Sequence, residues 1–252
     1  MRKNIIILTS GLTGSSVLTG LIARAGYWTG DDTFKNSDYD TFENLRLIEL
    51  NQKLLRDAGY GGNYFLEFSL ALNDLAHLGQ KAKLAEYREF IDHCNQHQPW
   101  VWKDPRLCLT IRFWSNLLDL ENCRFIVLTR DLLQCWISTI LRRRIMTYRD
   151  LRNYEIRIKH SIVDFLVHCE LPYLQLQYEE LILHPARAID QLNRYLDTSL
   201  LVDDLKQVYH KPLYKNPRRS VLEHIKAIAI YVKNYSDRVD IAMERRKRQD
   251  NA

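Results

Sequence analysis

Three groups of residues in this chain have the types and spacing to handle a phosphate-like anion. The first is the run Gly11, Leu12, Thr13, Gly14, Ser15, Ser16. Its glycines let backbone approach a ligand, its hydroxyls add donors, and a helix starting here would aim free N–H groups at negative charge. The second is Arg130 with Ser138, a guanidinium fork and, eight residues on, a hydroxyl that together suit a phosphate dianion. The third is Lys103, at the head of Lys103, Asp104, Pro105, Arg106, an ammonium able to neutralise charge developing on a leaving oxygen. The first run lacks a cation of its own, since no Lys or Arg lies between Asn4 and Arg24. Gly11 and Gly14 are also too close for a Walker A loop, and Ser15 stands where that loop needs Lys, so an ordinary P-loop kinase or ATPase is not expected.

The elements that must position these groups follow from apolar patterning. Ile5 to Leu8 reads as a buried strand, and Val17, Leu18, Leu21, Ile22 and Ala25 fall at helical spacing until Gly26 stops them. A helix is predicted from Phe42 to Leu55 and a longer helical region over about 64–94. Trp100, Val101 and Trp102, then Arg124 to Leu128, then Tyr173 to Gln177, read as further strands. Leu133, Trp136, Ile137, Ile140 and Leu141 mark the apolar side of a helix whose polar side carries Ser138. Strands separated by helices predict an α/β, P-loop-like three-layer fold, a central parallel sheet flanked by helices, in one domain over 1–252. Ligands of such sheets bind beyond the strands' carboxyl ends, where all three groups lie, so one cleft is expected to gather them.

Composition narrows the partners. A formal net charge of +5 over 252 residues is modest, and the runs Arg142, Arg143, Arg144 and Arg245, Arg246, Lys247, Arg248 read as solvated faces, so no nucleic acid is expected. Five cysteines without CxxC spacing read as reduced, mostly buried thiols. His93 and His97 can share a helical face, but no carboxylate or Cys in the pattern completes a zinc set, so a solvent-facing pair and no metal are expected. Only four strongly apolar residues follow Arg2 and Lys3, and no 18-residue apolar run exists. The expectation is a soluble, cytoplasmic chain without a membrane partner; oligomeric state is open.

The combination resembles the sulfotransferase family, which uses 3′-phosphoadenylyl sulfate as sulfuryl donor and releases adenosine 3′,5′-bisphosphate. Gly11 to Ser16 is similar to the family's 5′-phosphosulfate loop, and Arg130 with Ser138 matches the spacing of its 3′-phosphate site. Lys103, Asp104, Pro105 resembles a segment of tyrosylprotein and bacterial members, as does Phe42, Glu43, Asn44 with Asn51; Tyr178, Glu179, Glu180, Leu181 with Pro185 behind is the last match. Family loops usually carry Arg or Lys where this chain has Leu12, and often Pro where it has Leu132.

The resemblance implies in-line transfer to a hydroxyl or amine of a small-molecule, glycan or peptide acceptor, with no metal required. It makes Lys103 the electrophilic catalyst and gives the amides of Gly14, Ser15 and Ser16 the 5′-phosphosulfate. The base that takes the acceptor's proton is to be found among Asp31, Asp32 and Glu43, with Asp32 slightly ahead of Glu43. Asp104 reads as an orienting partner of Lys103 and Arg106, and Tyr178 with Glu179 as structural. The basic, turn-rich segment 211–219 would close over the nucleotide and add a phosphate contact from Arg218 or Arg219. Two other functions remain open: a nucleotide-binding protein that has lost catalysis, marked by Leu12, and a phosphotransferase with a degenerate P-loop that needs Mg²⁺ and a nucleoside triphosphate.

Overall fold

The computed structural model describes residues 2–36, 39–60, 68–69, 71–72, 75–208 and 221–238. The segment 211–219, with Arg218 and Arg219, and the basic run 245–248 lie outside the described residues.

Four parallel strands form the centre: β1 (Asn4–Leu8), β4 (Val101–Lys103), β5 (Cys123–Thr129) and β6 (Tyr173–Gln177), in the order β4-β1-β5-β6. Successive side chains of a strand point to opposite faces, and here both faces are covered, which is why β1 is apolar at every position after Asn4. Ile6, Leu8, Trp102, Phe125 and Val127 enter one core; Ile5, Ile7, Val101, Ile126 and Leu128 enter the other. The first core is covered by α2 (Leu45–Asp57), α3 (Leu84–Gln96), α4 (Leu107–Trp114) and α6 (Tyr148–His168). The second is covered by α1 (Ser15–Arg24), α7 (Tyr178–Leu183) and α8 (Pro185–Leu196), with Leu205 of α9 (Val202–Val208) at its margin. Two further helices, α5 (Leu132–Leu141) and α10 (Val221–Lys233), share a small third cluster around Ile137, Ile140 and Ala227. The three-layer α/β reading of the sequence describes this arrangement.

Two expectations about elements need correction. The helix predicted from Phe42 begins at Leu45, because Asn44 stays extended and its Oδ1 accepts hydrogen bonds from the amides of Arg46 (2.9 Å) and Leu47 (3.2 Å). Phe42 and Glu43 belong to β3 (Asp40–Asn44), which pairs antiparallel with β2 (Thr33–Lys35) in a hairpin that the sequence reading did not foresee. Of the helical region expected over 64–94, the described residues are helical at Phe68, Ser69 and Ala71, form a 3₁₀ turn at Leu75–His77, and enter α3 at Leu84, with the non-helical stretch 78–83 breaking the run.

The fold places Lys103 in register with Ile7, so the first and third residue groups sit side by side at the sheet's carboxyl edge. Behind them, fully buried Asn51 joins three elements. Its Nδ2 donates to Asp104 Oδ2 (2.8 Å), and its Oδ1 accepts from Thr110 Oγ1 (2.7 Å) and Trp114 Nε1 (2.8 Å). Only one orientation of the amide satisfies both the carboxylate and the two donors. Replacing Asn51 with Ala leaves the Trp114 indole N–H and Asp104 Oδ2 short of a partner in the core, while Thr110 Oγ1 keeps the Arg106 carbonyl (3.2 Å), so Asn51→Ala is expected to lower unfolding free energy by roughly 2–4 kcal/mol in urea titration. A loss below about 1 kcal/mol would show that the network carries little.

Candidate functional site

The cleft begins with the turn after β1. Gly14 adopts φ 79° and leads into α1, which has no acidic residue in its first turn and no side-chain cap, so its N-terminal amides and positive dipole end are free to meet an anion. A Cβ at Gly14 would come within 2.2 Å of the Tyr178 ring, so both the backbone conformation and the neighbour require glycine. Leu12 also takes a positive φ, 57°, a conformation uncommon for a non-glycine residue. Its side chain packs against the first core while its carbonyl accepts from Arg130 Nη1 (3.1 Å). The position where the resemblance calls for a cation thus lines the cleft with an apolar, half-buried side chain, its backbone tied to the cation of the next strand.

Lys103 ends β4 with 2% exposure, and its Nζ donates to Glu43, to Ser16 Oγ (3.3 Å) and to the Thr41 carbonyl (3.3 Å). Burial pushes the Glu43 carboxyl above the usual range; Lys103 opposes this and nearby Asp104 adds to it. Asp104, fully buried, points the other way and accepts from Arg106 Nη1 (2.8 Å) and the Arg106 amide (3.1 Å). The orienting role read for Asp104 matches these contacts with Arg106 and Asn51, although Lys103 itself pairs with Glu43.

Arg130 follows β5, where Asp131 caps α5 by accepting from the Gln134 amide (3.0 Å). Its Nη1 also donates to Ser138 Oγ (3.4 Å), a residue expected on the polar side of α5 that is nearly buried against the cleft. Tyr178 and Glu179, read from sequence as structural, hold this arginine. The guanidinium lies over the Tyr178 ring at 5.0 Å, Nε sits 3.6 Å from Glu179 Oε1, and Glu179 Oε2 accepts from the Asp131 amide (3.2 Å). Among the described residues, Arg130 Nε and Glu179 Oε1 are buried without a hydrogen-bond partner.

Together these groups line a cleft of about 590 Å³ that takes in Gly11, Gly14, Ser15, Ser16, Lys103, Arg130 and Ser138. Thr13 lies beneath the turn, fully buried, its hydroxyl paired with that of Thr9. Of the proposed bases, Glu43 lines the cleft. Asp32 is exposed, outside the lining, its carbonyl accepting from the Leu45 amide (3.1 Å), while Asp31 pairs with His93. Sequence reasoning missed two contributors. Phe34, Asn36 and Tyr39 of the unforeseen hairpin form a wall, and Arg142 and Arg144, set aside as a solvated charge run, bring further positive charge to the rim. The signal for the arginines was their position just past the helix that carries Ser138.

Four of the five cysteines are buried and Cys169 is partly exposed, all as free thiols. Burial pushes Cys94 and Cys123 up to about 12, which makes them inert at neutral pH. No described helix is long and apolar enough to cross a membrane.

A second cavity, about 370 Å³, lies behind the turn and includes Ser10 and Glu155. Ser10 Oγ donates to Glu155 Oε2 (2.5 Å), and Tyr154 OH donates to the Ser10 carbonyl (3.1 Å), so α6 fixes the start of the turn after β1. Burial raises the Glu155 carboxyl to about 7. With an unfolded value near 4.3, the folded chain binds the extra proton between these two values, so stability falls as pH rises through that window. Glu155→Gln, which cannot ionise, is expected to gain on the native chain in melting temperature as pH goes from about 5 to 8. A difference that stays constant with pH would contradict this.

No protein-family model matches the sequence, and no curated protein matches it significantly. Solved structures do. The sulfotransferase domain from the curacin biosynthetic pathway superposes with a TM-score of 0.53 at 17% identity, over 88% of this chain and 82% of that one. The sulfotransferase domain of the Synechococcus PCC 7002 olefin synthase gives 0.52 at 16% identity, over 91% and 94%. A sulfotransferase from Mycobacterium tuberculosis H37Rv gives 0.51 at 11% identity, over 92% and 76%. At these identities the likeness speaks for architecture, and on that ground the chain has the sulfotransferase fold.

Proposed function

We propose that this chain is a sulfotransferase that moves a sulfuryl group from 3′-phosphoadenylyl sulfate to a hydroxyl or amine of its acceptor. The observation that carries the reading is Lys103 buried at the end of β4 and paired with Glu43, on one side of the glycine turn after β1, with the Arg130–Ser138 pair on the other side and all of them lining one cleft. The residues present fit such a donor: the first turn of α1 carries no acidic residue and no side-chain cap, Lys103, Arg130, Arg142 and Arg144 line the cleft, and the cleft has the size of a small-molecule site.

When bound, the donor supplies a sulfuryl group on a phosphate leaving group. The amides of Gly14, Ser15 and Ser16 and the α1 N-terminus would hold the 5′-phosphosulfate, and Arg130 with Ser138 the 3′-phosphate. Glu43 would take the proton from the acceptor as its oxygen or nitrogen bonds to sulfur. Lys103, released from Glu43, would neutralise charge on the phosphate oxygen as the sulfur–oxygen bond breaks, leaving adenosine 3′,5′-bisphosphate. With Leu12 uncharged, Lys103, Arg106, Arg142 and Arg144 would supply the positive potential. The wall of Phe34, Asn36 and Tyr39 would meet the acceptor.

Transfer from labelled donor to a panel of phenols, alcohols and amines tests the reading. Lys103→Ala is expected to lower turnover by roughly two to four orders of magnitude with little change in nucleotide affinity. For Glu43 the sign is fixed by its raised pKa. A base must be deprotonated, so kcat/KM should rise with pH along an acid limb placed above the ordinary glutamate value near 4.3, and Glu43→Gln should remove that limb while lowering the rate by about 10²–10⁴. Nucleotide binding without transfer to any acceptor would favour the second reading, a binding protein, to which the positive φ and apolar packing of Leu12 also point.

A further inference from the structure

Sequence spacing leaves His93 and His97 without a third ligand, and the fold brings one from 62 residues away in the chain. Asp31 lies in the loop between α1 and the β2–β3 hairpin, and its Oδ2 is 2.7 Å from His93 Nε2. His97, at the C-terminal cap of α3, stacks nearly flat on Trp28 with ring centroids 4.7 Å apart and planes at 10°. His93 meets the same indole edge-on at 5.7 Å. One donor atom from each of Asp31, His93 and His97 lies within 4.8 Å of the other two; among the described residues, no other His, Cys, Asp and Glu side chains meet this way. Among the described residues, neither ring nitrogen of His97 has a hydrogen-bond partner.

We propose that Asp31, His93 and His97 form a binding site for a divalent transition-metal ion, zinc in the first instance, separate from the anion cleft. Two imidazoles and one carboxylate suit zinc, whereas magnesium and calcium prefer all-oxygen sets. Three protein ligands leave a fourth tetrahedral position to water. Bonds of about 2.0–2.1 Å at tetrahedral angles put donor atoms about 3.3 Å apart, so no separation need close by more than about 1.5 Å and the Asp31–His93 contact must open slightly. Rotamer changes can do this, because the Asp31 and His93 side chains are 63% and 41% exposed. Trp28 limits the orientations of both imidazoles, which lowers the entropy lost when they converge on an ion. An exposed Asp–His ion pair alone contributes little to stability and gives no role to the His97 ring nitrogens. Bound metal would pin α3 to the loop that enters the hairpin carrying Thr41 and Glu43, bracing one wall of the cleft without touching reacting atoms.

The test uses untagged, chelator-treated protein titrated with zinc chloride in a calorimeter. One equivalent per chain is expected to bind, with a rise in melting temperature that magnesium does not reproduce. Affinity should fall as pH is lowered, since protons compete with the metal for its ligands. Cobalt(II) should report nitrogen and oxygen ligation without a thiolate charge-transfer band, which separates this site from the cysteines. His93→Ala and His97→Ala should each weaken binding by more than about tenfold, equivalent to about 1.4 kcal/mol. Asp31→Asn, on an exposed loop, provides a third variant should either histidine substitution disturb α3. Absence of saturable binding, a thiolate signature, or binding undiminished in the folded variants would overturn the proposal.

Discussion

An ammonium group at the end of a central strand cannot be withdrawn from water without partners, and the site is arranged around that requirement at Lys103. Desolvating a charge costs several kcal/mol, and one partner group seldom offsets it alone. Here the acceptors come from two elements: Ser16 on α1, and the Thr41 carbonyl with the Glu43 carboxylate on β3. The hairpin is therefore held against the sheet edge partly by charge, and it closes further where Phe42 packs on Gly20, at which a Cβ would lie 2.7 Å from the ring. Asp104, one residue on, points to the opposite side, where Arg106 and Asn51 satisfy it. Strand alternation separates two adjacent opposite charges, leaving Lys103 to the cleft and Asp104 to the core.

The same logic governs the second cation. Arg130 is held by a ring beneath it, a carboxylate beside it, and the Leu12 carbonyl, so the turn after β1 and the turn after β5 are tied together. Its remaining direction runs towards Ser138 and the cleft. Leu12 brings no charge to the cleft; its positive charge comes from Lys103 and Arg130 at neighbouring strand ends and from Arg142 and Arg144 at the rim. The turn itself then needs only glycine geometry, hydroxyls and a helix start.

Much of this was legible in the sequence, for physical reasons. β1, β4 and β5 are covered on both faces and so carry the apolar runs Ile5–Leu8, Trp100–Trp102 and Phe125–Leu128, and residues at their carboxyl ends identify themselves as Lys103 and Arg130 once a parallel sheet is inferred. The hairpin was not legible. Thr33–Lys35 is short and polar, and Asp40–Asn44 flows into a helix whose cap, Asn44, looks like helix when only apolar spacing is read. Asp31 and the two histidines were each visible, but their meeting depends on how α3 packs beside Trp28, a tertiary fact. Tyr178 and Glu179 were read as structural because an aromatic and an acid at a helix start usually are; only the fold reveals that the structure they hold is Arg130.

The central claim is that the cleft recognises a nucleotide through its 3′-phosphate, gripped by Arg130 and Ser138. The most direct measurement is thermal unfolding with adenosine 3′,5′-bisphosphate set against adenosine 5′-monophosphate, for the native chain and for Arg130→Ala. A ligand that binds only the folded chain at about a hundred times its dissociation constant adds about 2.7 kcal/mol. The bisphosphate is expected to raise the native chain's melting temperature well beyond the monophosphate, and Arg130→Ala to erase the difference. Equal shifts from the two nucleotides, or no shift from either, would contradict it.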